Sequence, residues 1–217
     1  MMKLYGYWRS SAAYRVRIGL RLKAVSWEYA AVNLTKGGGE QNAPGYAALN
    51  PQRLVPTLVD GDCVIGQSLA ILEYLDERFP APPLLPASYA ERARARQIAL
   101  VIGADLHPLS NLRVLHYLET EHLLGSEARL AWYRHWLKLG LDAAEGLVAA
   151  SGPYALGAAV GLADLFIVPQ LYNARRYEFP LADYPRLRRI DEACAALEAF
   201  ALARPECQPD APPPLWR

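Results

Sequence analysis

The sequence predicts an α/β domain followed by an all-α domain. Three observations carry this. From Met1 to about Phe79, strand-like and helix-like patterns alternate. A run of prolines from Pro80 to Pro86 cannot continue a helix and makes a semi-rigid connector. Beyond Ser88 the pattern is helical almost to the end. A chain of 217 residues buries a substantial core as one large domain or two modest ones. The expected division is residues 1–80, a linker at 81–87, and a helical domain at 88–217.

Taking the elements in order, Lys3 to Trp8 reads as a short strand that turns through Arg9-Ser10-Ser11 into a helix reaching Leu22. Serine is a favoured N-cap, so Ser10 or Ser11 is placed where helical N–H groups are unpaired and the helix dipole is positive. Such a terminus can hold an anion, a thiolate included, or be no more than an ordinary cap. Ala12, Val16, Gly19 and Leu20 mark one face and Ile18 and Leu22 another, as in a helix packed between two layers. Trp27 to Leu34 is the second strand, followed by a loop with Gly37, Gly38 and Gly39. No Lys-Ser/Thr follows these glycines, so a phosphate loop is not expected. Leu54 to Val59 is a strand entered through Pro56, and Asp60-Gly61-Asp62 turns it into a partner at Cys63 to Ile65. Pro56 is either an edge proline or a cis residue. Gln67-Ser68 opens a helix running to Phe79; the pair is a cap, and it is also suited to a carboxylate.

In the second half, Ser88 with Glu91 predicts a capping box for a long helix from Tyr89 to about Leu118, kinked at Pro108. Further helices are expected at Ser126 to Ala150, Gly161 to Tyr177 and Pro185 to Ala203. Asp164 is placed to reach back to the Gly161 N–H. A proline-rich tail, Pro205 to Arg217, is expected on the surface.

Composition narrows the function classes. The 53% hydrophobic and 21% charged shares describe an ordinary globular protein. A formal net charge of +1 argues against nucleic acid as a partner and against polybasic docking to a membrane. Arg9, Arg15 and Arg17 interrupt the first apolar residues, so no secretory leader is expected, and a cytoplasmic location is the default. Cys63, Cys194 and Cys207 have no CxxC spacing, and the four histidines lack a metal-ligand pattern, so no disulfide framework or metal site is predicted. No hydrolase elbow, Walker loop or dinucleotide fingerprint is present. Any catalysis must borrow its reactive group.

The run W-R-S-S-A-A-Y-R-V-R-I-G-L, Trp8 to Leu20, closely resembles the signature of zeta-class glutathione transferases, roughly S-S-C-x-[W/H]-R-V-R-I-A-L. The segments A-L-N-P-Q-R-L-V-P-T-L, Q-S-L-A-I-L-E-Y-L and G-L-A-D-L-F-I-V-P-Q follow in the family's order, so the resemblance covers nearly the whole chain. It implies a thioredoxin-like N-terminal domain, a helical C-terminal domain (the glutathione transferase fold), an active site formed by both, and a homodimer. The implied cofactor is glutathione, whose thiol becomes a nucleophile once its pKa falls below about 8.5. The implied reaction is covalent catalysis: the thiolate adds to the cis double bond of a maleyl dicarboxylic acid, the resulting single bond rotates, and the thiolate is expelled to leave the fumaryl isomer.

Residue by residue, the resemblance implies that Ser10 donates to the thiolate and that Ser11 assists. Pro56 is implied to be cis and to turn the backbone of Val55 toward the cysteinyl part of glutathione. Gln67 and Ser68 are implied to hold the γ-glutamyl carboxylate, and Gln41 to lie near the tripeptide's far end unless it is a solvated loop residue. Arg9, Arg176 and Arg113 are the candidates for gripping the substrate carboxylates and stabilising the transient enolate, against the alternative of surface ion pairs. His107 and Asn111, spaced i, i+4 beside Pro108, are assigned one helix face and a possible contact with ligand. Ala12 departs from the family, which usually has cysteine there; weak or absent reductive dehalogenation is the expectation. The substrate is read as maleylacetoacetate, with maleylpyruvate as the alternative. A general glutathione transferase or peroxidase would tolerate loss of Arg9 and Arg176 with a neutral electrophile, and a non-catalytic module would bind glutathione without turnover.

Overall fold

The computed structural model describes residues 1–213. In chain order it has β1 (Met2–Gly6), α1 (Ser11–Leu22), β2 (Trp27–Ala31), α2 (Pro44–Leu49), β3 (Thr57–Asp60), β4 (Cys63–Gly66) and α3 (Ser68–Arg78). Then come α4 (Tyr89–Leu100), α5 (His107–Leu109), α6 (Leu112–Thr120), α7 (Ser126–Leu147), α8 (Leu162–Arg176), α9 (Pro185–Ala195) and α10 (Glu198–Ala203). Two compact units result: Met1–Leu84 together with the segment from Ala195 on, and Leu85–Cys194.

The first unit is a four-stranded sheet in the order β2-β1-β3-β4. β1 runs parallel to β2, with Leu4 opposite Tyr29, and antiparallel to β3, with Leu4 opposite Leu58. β3 and β4 form the expected hairpin through Asp60 and Cys63. The parallel crossover through α1 requires a helix on one face, and the core shows it there: Met2, Leu4 and Leu58 from the sheet meet Val16 and Leu20 of α1 and Ile71 and Leu75 of α3. Every residue of α1 from Ser11 to Leu20 is buried, Arg15 and Arg17 included. The second covering layer expected for α1 is α10, tied down where the Tyr14 hydroxyl donates to the Phe200 carbonyl at 3.4 Å and Arg17 Nε to the Ala203 carbonyl at 3.1 Å.

That arrangement gives the end of the chain a different home from the one expected. The sequence pattern assigned all of 88–217 to the helical domain, and the helix from Pro185 was expected to continue to Ala203. In the structure Leu197 caps a separate α10, and the segment from Ala195 packs with the sheet domain. Pro205 and Gln208 are buried, so the tail is anchored at least through them; its last four residues, 214–217, lie outside the described residues.

The second unit is helical. The expected long helix from Tyr89 is not continuous. α4 passes into a π-helical turn, Val101–Leu106, then α5, and the chain breaks at Ser110 and Asn111 before α6. Pro108 lacks the N–H that a continuing ladder needs, and the Asn111 carboxamide caps the new helix by accepting the Arg113 N–H at 3.1 Å. Ser88 sits at the N-cap of α4 without a side-chain cap bond, so the expected capping box does not form. The π-helical turn packs on α7 at Gly140, where a Cβ would come within 2.2 Å of Leu106. Asp164 takes its expected place at the start of α8, where Oδ2 accepts the Gly161 N–H and Oδ1 the Ala155 N–H, both at 2.8 Å. By length and composition the run Tyr89–Thr120 would suffice to cross a membrane, but the break at Ser110 and Asn111 interrupts it.

Candidate active site

The turn from β1 into α1 places Ser10 at the N-cap, with extended backbone (φ −68°, ψ 118°). Its hydroxyl oxygen accepts the Ala13 N–H at 3.2 Å. A hydroxyl that accepts keeps its own proton, so Ser10 remains a donor to whatever lies in front of the helix. Ser11 is the first helical residue and is buried; Ala12 follows it, 8% exposed. No acidic residue stands in the first turn of α1, so the positive end of the helix dipole is not neutralised. Arg9, half-buried, lays its guanidinium 5.5 Å from the centre of the Trp8 ring.

Val55 precedes a cis peptide bond to Pro56, as expected. Its neighbour Leu54 is pinned by two donors, the Tyr46 hydroxyl at 2.6 Å and Asn50 Nδ2 at 2.9 Å, and both also reach the Thr57 hydroxyl. Among the described residues no protein group pairs with the Val55 N–H or C=O. A held segment with unclaimed backbone groups is what addition of an extended peptide requires.

Gln67 precedes α3 with φ +64°, a left-handed conformation that costs a non-glycine residue of order 1 kcal/mol and clusters at ligand sites. Its Nε2 donates to Gln52 Oε1 at 2.9 Å. Ser68 begins α3, 6% exposed, and its Oγ accepts from Arg15 Nη1 at 3.2 Å. Burial lowers the pKa of Arg15 to about 9, which leaves it charged at neutral pH. The first turn of α3 also lacks an acidic residue. Ser68 therefore has a cation behind it and a proton free to donate to a carboxylate. Arg15, one helical turn beyond Ser11, links the two helix starts and was not singled out from the sequence. The signal available was a charged residue on a helix apolar around most of its circumference. Gln41 lies in a turn after the glycine loop, its Oε1 buried without a hydrogen-bond partner.

Thus Ser10, Ser11, Arg9, Gln41, Val55, Pro56, Gln67 and Ser68 all belong to the first unit. Its groups fit a tripeptide thiol: a hydroxyl donor for sulfur, backbone groups for a peptide, an unsatisfied buried acceptor, and a hydroxyl at a helix start for a carboxylate. His107, Asn111, Arg113 and Arg176 belong to the second unit. His107 and Asn111 do not share a helix face, because α5 ends at Leu109 and the Asn111 carboxamide serves as the cap of α6. Arg113 is exposed on α6. Arg176 is exposed at the end of α8, with Nη1 3.2 Å from Asn173 Oδ1 and its guanidinium 5.4 Å from the Tyr177 ring centre. Among the described residues no carboxylate pairs with Arg9, Arg113 or Arg176, so the surface ion pairs weighed for them are not formed. The adjacent Arg175 is different, since it bonds to Asp191.

Comparison with known proteins agrees with this geometry. A family model described as the N-terminal domain of glutathione S-transferase matches residues 4–83. A probable maleylacetoacetate isomerase of Vibrio cholerae is 48% identical over 209 residues, covering 96% of this chain and 97% of its own. Among solved structures, the holo form of a bacterial maleylpyruvate isomerase of the zeta class superposes with a TM-score of 0.93 at 44% identity, covering 97% of this chain and 100% of that one. A maleylacetoacetate isomerase of Anaeromyxobacter dehalogenans with glutathione in its active site has a TM-score of 0.88 at 46% identity, covering 98% of each chain. With the sheet order, the cis Pro56 and the Ser10 cap already in place, these likenesses assign the chain to the zeta class of the glutathione S-transferase family.

Proposed function

We propose that this protein is a glutathione-dependent isomerase that converts a maleyl dicarboxylic acid, maleylacetoacetate foremost, to its fumaryl isomer. The observation that carries the reading is the Ser10 hydroxyl, which accepts from Ala13 and keeps its proton for an anion at the open end of α1. When bound, glutathione supplies a nucleophilic sulfur that adds reversibly to the double bond. Ser10 holds that sulfur as the anion, aided by the unneutralised start of α1. The Val55 backbone orients the peptide, and Gln67 and Ser68, with Arg15 behind, fix a carboxylate. Gln41 offers an acceptor for a further polar group. For the substrate, Arg9 lies next to Ser10 and pairs with no carboxylate among the described residues; we assign it, with Arg176 and Arg113, to the carboxylates. His107 and Asn111 are retained as candidate ligand contacts, now on separate elements.

The relatives carry both substrate names, maleylacetoacetate and maleylpyruvate. Steady-state assay of both acids, with and without glutathione, is the direct test. Turnover of maleylacetoacetate that requires glutathione supports the reading, and equal rates without glutathione overturn it. A cytoplasmic homodimer is proposed as the working form. Leu100, Leu112 and Tyr117 of the second unit are apolar, large and about half exposed, which supports a covered face; light scattering in solution checks the mass.

A further inference from the structure

We infer that Asp210, near the end of the chain, is a positioning residue for the turn that carries Ser10. The turn spans Tyr7 to Ser10 and closes where the Ser10 N–H donates to the Tyr7 carbonyl at 3.0 Å. Side chains hold the Trp8 N–H and C=O and share the Tyr7 carbonyl. The Trp8 N–H donates to Asp210 Oδ2 at 2.9 Å, across 202 residues of sequence. The Trp8 carbonyl accepts from Arg17 Nη2 at 3.1 Å, and the Tyr7 carbonyl accepts from Arg17 Nη1 at 3.5 Å. Arg17 is fully buried, and its Nε donates to Ala203, so the cation that grips the turn also grips the returning segment.

Asp210 is itself held in place. Gln208 Nε2 donates to the Leu202 and Arg204 carbonyls at 3.2 and 2.8 Å, and the Ala211 N–H returns to the Gln208 carbonyl at 3.0 Å. The second carboxylate oxygen, Oδ1, is buried without a hydrogen bond. The Tyr29 hydroxyl is likewise buried and faces Asp210, and its pKa is raised, first by burial and then by the charge of Asp210. Placing this carboxylate beside a neutral phenol and the Trp8 N–H costs desolvation that a solvated tail would avoid. What that cost fixes is the Trp8 peptide plane, two residues before the hydroxyl that must face sulfur.

The inference rests on the proposed function, and the test separates the two. Wild type, Asp210→Ala and Asp210→Asn are titrated with glutathione across pH, following the thiolate by its ultraviolet absorbance, alongside kcat and KM for maleylacetoacetate. Asparagine keeps an oxygen for the Trp8 N–H. Alanine removes it. The expected result is a bound-thiol pKa higher by about one unit in the alanine variant, a kcat lower by about tenfold, and KM for glutathione within about twofold. The asparagine variant should match wild type in all three. An unchanged thiol pKa with alanine, or an asparagine variant as impaired as alanine, overturns the role of Asp210. Should alanine prevent folding, Asp210→Ser, which stops short of Trp8, carries the same expectation. A wild-type protein that does not lower the thiol pKa would instead sink the proposed function.

Discussion

Arg15 Nη1 lies 3.2 Å from the hydroxyl of Ser68, joining α1, whose start is the proposed thiol site, to α3, whose start is the proposed carboxylate site. Arg15 is 1% exposed, so its charge acts with little solvent screening. Ser68→Ala removes a charge-assisted donor and should weaken glutathione binding by about tenfold or more, as expected for roughly 1.5–3 kcal/mol. Arg15→Lys keeps the charge but not the planar fork and should weaken it as well. Calorimetric titration of glutathione reads both. Unchanged affinity in the serine variant would remove Ser68 from the site.

Ser10 acts as helix cap and as proposed sulfur ligand, and the two roles are separable. Ser10→Ala loses the bond from Ala13, worth about 1 kcal/mol of stability. It also loses the donor to the thiolate, for which a drop in kcat of about 100-fold or more is expected. Ser10→Asn restores a cap but not a hydroxyl, so it should recover stability and not turnover. Ser11→Ala should do less than Ser10→Ala. Thermal melts beside steady-state rates give the comparison, and full recovery of turnover by asparagine would reduce Ser10 to a cap.

These residues were legible because local patterns mark them. A serine before an apolar run, a proline at a strand entrance and a Gln-Ser pair at a helix start are signals that short windows carry. The same is true of β3 and β4, whose Asp60-Gly61-Asp62 turn fixes the register of the hairpin. What was not legible lies in contacts distant along the chain. The periodicity of Pro185 to Ala203 reads as one helix and says nothing of which domain it covers. Only the bonds from Tyr14 and Arg17 to Phe200 and Ala203 decide that. Likewise α2 spans six residues, too few to show a period, and the π-helical turn before Pro108 keeps the composition of a helix while changing its ladder.

Lys23 closes the first unit. Its ammonium, with no exposed side-chain surface, meets Asp76 Oδ1 at 2.5 Å and the Phe79 and Pro82 carbonyls at 2.6 Å each. Asp76 also accepts the Leu84 N–H at 2.7 Å, so the ion pair fastens the end of α3 to the chain that leaves the domain. Lys23→Met fills similar volume but leaves Asp76 without its cation and two carbonyls without a donor. A loss of about 3–5 kcal/mol in urea unfolding is expected, and Lys23→Met with Asp76→Leu should recover part of it. A change within about 0.5 kcal/mol would mean that water replaces the ammonium without penalty.

Asp164 supplies a pH dependence whose sign can be worked out. Burial is the largest influence on its carboxyl and raises the pKa to about 6, against the N–H groups of Ala155 and Gly161, which favour the anion. In the unfolded chain the group titrates near 3.9. Between about pH 4 and 6 the folded protein thus holds a proton that the unfolded chain has released, so stability falls as pH rises through that window. Its contribution is fully present below about pH 4, and a gap of about two units sets the total loss near 3 kcal/mol. Asp164→Asn removes the titration. It also turns an NH₂ toward one of the two backbone donors, so it should be less stable than wild type at acid pH by about 2 kcal/mol. The wild-type lead of about 2 kcal/mol should then fall by about 3 kcal/mol between about pH 4 and 6, leaving the variant ahead by about 1 kcal/mol and the difference constant above that. Urea unfolding of both proteins across this range measures it, and a wild-type lead that stays flat or grows with pH would show that the two N–H groups, rather than burial, govern this carboxyl.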